Sequence, residues 1–239
     1  MKNIVIIGAS SGIGNALASL YASKGNKVAV MARRGELLHE LQQEFPKQII
    51  SFSRDIASTN AILDVLEEIK KEWQTLDLIV NCAAIVEDNP NLGSAIELNT
   101  IGVNVSGFTV ISGWAYNLFK AQQYGSYAAI TSVFGIRGRR LAPAYNASKA
   151  YQINYLEALR QKSSNENLNS KFMDIRAGFV KTRMAPENAM HLPVIREDHA
   201  AKLIARAINK GNSVSFIPFY WYWFALLLRL IPNRIYERL

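Results

Sequence analysis

Apolar residues fall along this chain in short dense runs, separated by longer stretches of helical periodicity. Runs at Asn3–Ile7, Lys27–Met31, Gln48–Ser53, Leu76–Asn81, Tyr127–Thr131, Phe172–Arg176 and Ser213–Ile217 predict strands. Between them, Gly12–Ser23, Ala57–Trp73, Ala95–Ala121 and Ala144–Lys162 carry apolar positions at helical spacing. Such alternation predicts right-handed βαβ units, and with seven runs a mainly parallel seven-stranded sheet flanked by helices. No repeat, low-complexity tract or linker interrupts it. The expectation is a single doubly wound α/β domain over residues 1–239, with ligands at the carboxyl ends of the strands.

Two segments depart from this pattern. Residues 181–198 read as a lid over the substrate, and Met184, Met190, Leu192 and Val194 would give it an apolar inner surface. That favours a hydrophobic substrate. Residues 216–239 form an aromatic tail, uncharged from Phe216 to Leu228 and followed by Arg229, Arg234 and Arg238. After Pro218 the uncharged run makes a helix of only ~15 Å, against ~30 Å of bilayer hydrocarbon. It does not span a membrane, yet it is apolar all round and needs a cover. Three covers compete: its own domain or a second subunit, a membrane surface met as a monotopic anchor, and a long acyl substrate.

Composition narrows the partners. A formal net charge of +8 admits nucleic acid, an anionic membrane, or an acidic cofactor or substrate. The basic residues are scattered with no long tract, which argues against nucleic acid. Cys82 is the only cysteine, so no intrachain disulfide forms and nothing points to an oxidising compartment. The first apolar run is too short for a signal-peptide core, so the expected location is cytoplasmic, with peripheral membrane contact through the tail left open.

The first strand runs into Gly8-Ala9-Ser10-Ser11-Gly12-Ile13-Gly14 and then a helix. Glycines there allow a tight turn and the close approach of a pyrophosphate, whose charge sits on the helix N-terminus. Enzymes that use NAD usually place an acid after the second strand, to hold the ribose 2′-hydroxyl. This chain has Arg33 and Arg34 instead, and two guanidiniums suit the 2′-phosphate of NADP. Asp55, after the third strand, serves either the adenine amino group or an ordinary helix N-terminus.

Tyr145 and Lys149 stand four residues apart, one turn along a single helix face. A phenol titrates near pH 10, and an ammonium one turn away favours the phenolate, which suits acid–base catalysis. Ser132 precedes Tyr145 by thirteen positions, and Asn104 lies on an earlier helix. Each has an ordinary reading too: a snorkelling surface pair, a strand-end cap and a helix-bend residue.

Together these residues resemble the short-chain dehydrogenase/reductase family over nearly the whole chain. Gly8, Gly12 and Gly14 fit its glycine motif, and Asn81-Cys82-Ala83-Ala84 is similar to its Asn-Asn-Ala-Gly stretch. Asn104, Ser132, Tyr145 and Lys149 stand at its tetrad positions, and Gly178–Thr182 matches its nicotinamide segment. The resemblance implies a Rossmann fold and NADP(H)-dependent interconversion of a carbonyl and an alcohol. It implies cofactor contacts from Ser10, Ser11, Ile13, Ile56, Asn81 and Ala83, and from Gly178, Val180 and Thr182. Tyr145 would donate the proton, Ser132 would hydrogen-bond the same oxygen, and Lys149 would lower the phenol pKa and hold the ribose. Asn104 would order a water beside Lys149, while the Val180 backbone and Thr182 would orient the carboxamide. A homodimer or homotetramer would form on the helices bearing Asn104 and Tyr145.

Ile7, Cys82, Ala84 and Ala177 depart from the family pattern, in ways that bear on binding rather than proton transfer. Arg137, Arg139 and Arg140, near the mouth, attract an acidic carrier or head group, or else belong to a solvated loop or subunit contact. A catalytically silent NADP sensor and a membrane-associated interaction protein are alternatives on the same fold. An intact tetrad favours the enzyme.

Overall fold

In the computed structural model, which describes residues 1–182 and 193–238, the seven runs form one sheet. Its strands are β1 (Asn3–Ile7), β2 (Lys27–Ala32), β3 (Ile49–Ser53), β4 (Leu78–Asn81), β5 (Gly125–Ser132), β6 (Ser170–Ala177) and β7 (Val214–Ile217). They lie in the order β3-β2-β1-β4-β5-β6-β7. Every pairing is parallel, so the mainly parallel sheet expected is wholly parallel. The strand order reverses between β1 and β4, and a crevice is expected outside the carboxyl ends there.

The helices are α1 (Gly12–Ala22), α2 (Gly35–Glu44), α3 (Thr59–Trp73), α4 (Ser94–Ile101), α5 (Phe108–Gln122) and α6 (Pro143–Asn165). After β6 come α7 (Glu197–Lys210), α8 (Trp221–Leu230) and the single turn α9 (Asn233–Tyr236). Strand β1 shows why the runs are continuously apolar. Ile4 and Ile6 pack with Leu17, Leu38 and Ile204 under α1, α2 and α7. Val5 and Ile7 point the other way, into Leu66, Ile111 and Leu156 under α3, α5 and α6. Side chains alternate between faces, so a strand covered on both must be apolar at every position. All four residues are 0% exposed.

One expected helix is three pieces. Ala95–Ala121 becomes α4, a π-helical turn at Gly102–Gly107, and α5. Such turns interrupt the i→i−4 ladder and recur at functional sites. The tail folds as α8, and among the described residues no helix is long and apolar enough to cross a membrane.

Candidate active site

The carboxyl ends of the central strands open into a cleft of about 1020 Å³. Pockets for one drug-sized ligand run to ~300–1,000 Å³, so there is room for an extended ligand. At its floor Gly8 adopts φ +85°, and a β-carbon there would lie 2.6 Å from the Ala83 nitrogen. A β-carbon on Gly14 would fall 2.2 Å from the Gly8 carbonyl oxygen. Both contacts are impossible, so the backbone of the turn stays bare. With no acid in the first turn of α1, its N–H groups face the cleft as an anion cradle. This cradle fits a pyrophosphate.

Past the end of β2, Arg34 reaches back over the turn. Its Nη2 donates to Ser10 Oγ at 2.8 Å and to Ser11 Oγ at 2.6 Å, and its Nε to Ser10 at 3.2 Å. Arg33 Nη1 stands 3.9 Å from Asp55 Oδ2, and both side chains are about half exposed. Asp55 Oδ1 accepts from the Ala57 N–H at 3.0 Å, an ordinary turn before α3. Arg33, Arg34, Asp55 and Ile56 line the cleft, and so does Arg54, which pattern reading passes over. Three guanidiniums at one end suit a phosphate there.

Not every expected cofactor residue faces the cleft. Asn81 stands behind the lining, accepting from Ala83 N–H at 3.1 Å and donating to Tyr127 Oη at 3.2 Å. It pins the turn after β4 and leaves Ala83 to line the cleft. Gly12 lies beneath the Thr182 methyl, where a β-carbon would meet it at 3.2 Å. Ile13, Gly178, Val180 and Thr182 line the cleft as expected.

Ser132 ends β5, and its oxygen accepts from the Phe134 N–H at 3.1 Å. The strand-end cap and the site residue are therefore one group, since the hydroxyl proton is still free to bond Tyr145. Burial raises the Tyr145 phenol above its ordinary pKa, while the Ser132 hydrogen bond and the Arg139 charge pull it down. This net direction reverses the expected lowering by Lys149, whose Nζ sits 5.9 Å from the Tyr145 ring centroid. The ammonium is turned to Ile130 O at 2.9 Å and Gln152 Oε1 at 3.0 Å. Burial pushes the Lys149 pKa down to about 8, opposed by Cys82 and Asp174. The Cys82 thiol is itself pushed up to about 12 by burial, so at neutral pH Asp174 supplies the negative charge.

Asn104 sits fully buried in the π turn. Its side chain clasps Ile85, accepting from N–H at 2.9 Å and donating to the carbonyl at 2.8 Å, and it also donates to Ser148 Oγ at 3.1 Å. Its main-chain carbonyl accepts from Gln152 Nε2 at 2.8 Å. A carboxamide therefore joins the two groups between which the resemblance expects a water. No local pattern marks Gln152.

The opposite end of the cleft is apolar, with Phe134, Leu141, Ala142 and Phe179 in its wall. Trp221 of α8 packs behind, its ring 5.6 Å from Phe179 and 6.3 Å from Phe134. The three loop arginines divide. Arg137 donates to the carbonyls of Leu228 and Ile231 at 3.2 and 2.9 Å, and lies 4.1 Å over the Tyr236 ring. It caps α8 and is not at the mouth, because the end of a helix needs donors for its last carbonyls. Arg139 lies over Phe134 and lines the cleft. Arg140 is exposed. Within the expected lid, Lys181 N–H donates to Ile195 O at 2.8 Å, and Val194 is exposed. Met184, Met190 and Leu192 lie outside the described residues.

A family model described as short chain dehydrogenase matches residues 2–192. The chain is 27% identical to a human 3-oxoacyl-[acyl-carrier-protein] reductase over 223 residues, covering 90% of each protein. It is 29% identical over 205 residues to carbonyl reductase family member 4 of Xenopus laevis, covering 85% of this chain and 83% of the relative. Among solved structures, the NADPH-dependent 3-quinuclidinone reductase of Rhodotorula rubra superposes with a TM-score of 0.73 at 23% identity, over 84% of this chain and 82% of that one.

Proposed function

The chain belongs to the short-chain dehydrogenase family, and from that premise we propose an NADP(H)-dependent oxidoreductase that interconverts a hydrophobic carbonyl compound and its alcohol. One observation carries the reading. Ser132, Tyr145 and Lys149 meet in the wall of a cleft whose floor is the bare glycine turn. The bound nicotinamide supplies hydride chemistry at the carbonyl carbon. Gly8, Gly14 and the α1 N-terminus would hold the pyrophosphate, and Arg34 with Arg33 the 2′-phosphate.

The chain's own residues handle the oxygen. Tyr145 donates a proton to the developing alkoxide in reduction and takes it back in oxidation. Ser132, held by the Phe134 N–H, aims its hydroxyl at the same oxygen, where charge grows in the transition state. Burial favours a phenol that keeps its proton until the alkoxide forms. Lys149 supplies positive charge beside it and would hold the ribose hydroxyls of the cofactor. Asn104 holds the turn after β4 against the site.

Phe134, Phe179, Leu141 and Trp221 support a hydrophobic substrate. The outer face of α8 supports an anionic membrane surface as its source, since Phe219, Trp223, Leu227 and Leu230 are exposed beside Arg229. The family resemblance puts homo-oligomer contacts on the helices bearing Asn104 and Tyr145, the π turn with its continuation α5 and α6, where Trp114, Tyr151 and Tyr155 are only partly buried. NADPH oxidation over a carbonyl panel including long-chain ketones and acyl thioesters tests the whole. Tight NADPH binding with no turnover anywhere in the panel would support a silent sensor instead.

A further inference from the structure

The network behind Lys149 carries a feature that the proposed function does not require. Gln152 lies one turn after Lys149 on α6 and is 1% exposed. Its amide orientation is dictated by chemistry. An ammonium can only donate, so Oε1 must face Lys149, and the NH₂ must then face the Asn104 carbonyl, which can only accept. The π turn is where that carbonyl leaves the regular ladder.

We propose that Gln152 is a positioning residue, clamping Lys149 to the π turn and holding its ammonium charged and aimed at the site.

The groups facing Lys149 are few. Ile130 O comes from β5, the neutral Cys82 thiol follows β4, and Tyr145 precedes it on α6. Asp174 on β6 is buried and already engaged by Thr131 Oγ1 and by Arg176 Nε at 2.7 Å. Among the described residues, Gln152 is thus one of two direct acceptors for the ammonium, beside Ile130 O.

The test is the Lys149 titration, which needs no turnover and so stands or falls apart from the reductase reading on which the idea rests. In protein labelled with ¹³C-lysine, the Lys149 Cε resonance, assigned by Lys149→Arg, should titrate near 8 in the parent. Gln152→Leu keeps volume and removes the acceptor, so the midpoint should fall by about one pH unit. Gln152→Glu puts a carboxylate beside the ammonium, so it should rise. Opposite shifts in two folded variants are the expected signature, with the alkaline limb of kcat/KM following each. A residue that only fills space would leave the midpoint of the leucine variant unmoved, and that result overturns the proposal. If the leucine variant fails to fold, Gln152→Met, which also keeps the volume and lacks the amide, decides in its place, by falling or by staying put.

Discussion

The indole of Trp221 lies against Gly178 so closely that a β-carbon built on Gly178 would fall 2.0 Å from Trp221 Nε1. Gly178 follows β6 and lines the cleft, while Trp221 opens α8. The tail helix and the nicotinamide segment therefore share one packing contact. Gly178→Ala should cost ~1–3 kcal/mol of stability through overpacking and lower kcat/KM. Trp221→Phe shortens the ring system and makes room. Thermal midpoints and kcat/KM of the two single variants and the double variant should give a coupling of about 1 kcal/mol or more, with the double variant better than Gly178→Ala alone. Additivity within ~0.5 kcal/mol would mean the contact matters to neither.

Tyr145→Phe removes the phenol and leaves the ring. Turnover should fall by ~10²–10⁴-fold, the range for a lost general acid, while NADPH binding by fluorescence stays within a few-fold. Ser132→Ala should lower kcat less, because it removes a hydrogen bond to the alkoxide and leaves the proton donor in place, although it also frees the Phe134 N–H. Parent-like turnover in Tyr145→Phe would sink the assignment.

Arg34 should set cofactor choice. Arg34→Ala loses a guanidinium near the expected 2′-phosphate and the hold on Ser10 and Ser11. KM for NADPH should rise by at least about tenfold, equivalent to ~1.4 kcal/mol, with NADH changed far less. Arg33→Ala, whose 3.9 Å pair with Asp55 is exposed, should cost less. Equal losses with both cofactors would show that Arg34 only braces the turn.

Lys149 should set stability and activity against one another above neutral pH. In the unfolded chain a lysine stays charged to about 10.5, whereas burial lowers Lys149 to about 8. Its buried charge therefore costs on the order of 3 kcal/mol at neutral pH. Between those two pH values the unfolded chain binds more protons, so this contribution improves as pH rises. Activity, which needs the charged form, declines over the same interval. Lys149→Met removes the titration, so the parent should gain stability relative to that variant from pH 7 to pH 10. A constant difference in melting temperature across that range would contradict it.

What is legible in the sequence divides by distance along the chain. Strands covered on both faces must be apolar throughout, so the alternation is enough to find all seven strands. Tyr145 and Lys149 are one turn apart, and Gly8 to Gly14 is one turn and a helix start, so local pattern carries them. The π turn is hidden because Gly102–Gly107 keeps the apolar spacing of its flanking helices. Gln152 reaches Asn104 across 48 residues and Arg137 reaches Ile231 across 94. Side chains that bond distant carbonyls leave no period to read. The arginine loop illustrates the cost: its composition suggests a site for acids, and Arg137 instead caps a helix.

Trp221 and Ala225 are buried, so α8 is docked on its own domain by one side only. On the other side Phe219 (68% exposed), Trp223 (61%), Leu227 (59%) and Leu230 (70%) form one stripe at helical spacing. No carboxylate falls between Val214 and Tyr236, whereas Arg229 and Arg234 do, and Arg238 follows. Apolar and aromatic side chains rimmed by arginine match a helix lying in the plane of an anionic interface. Vesicles containing anionic lipid should therefore carry the protein down on sedimentation, and neutral vesicles or high salt should release much of it. Trp223→Ser with Leu227→Ser keeps Trp221 in the core and should weaken partitioning by at least about tenfold. That pair is a cleaner probe than truncation before Phe219, which would strip Trp221 from Gly178. Equal partitioning of parent and variant would reject the membrane. A lipid-free dimer that the same two serines dissolve would assign the stripe to a second subunit.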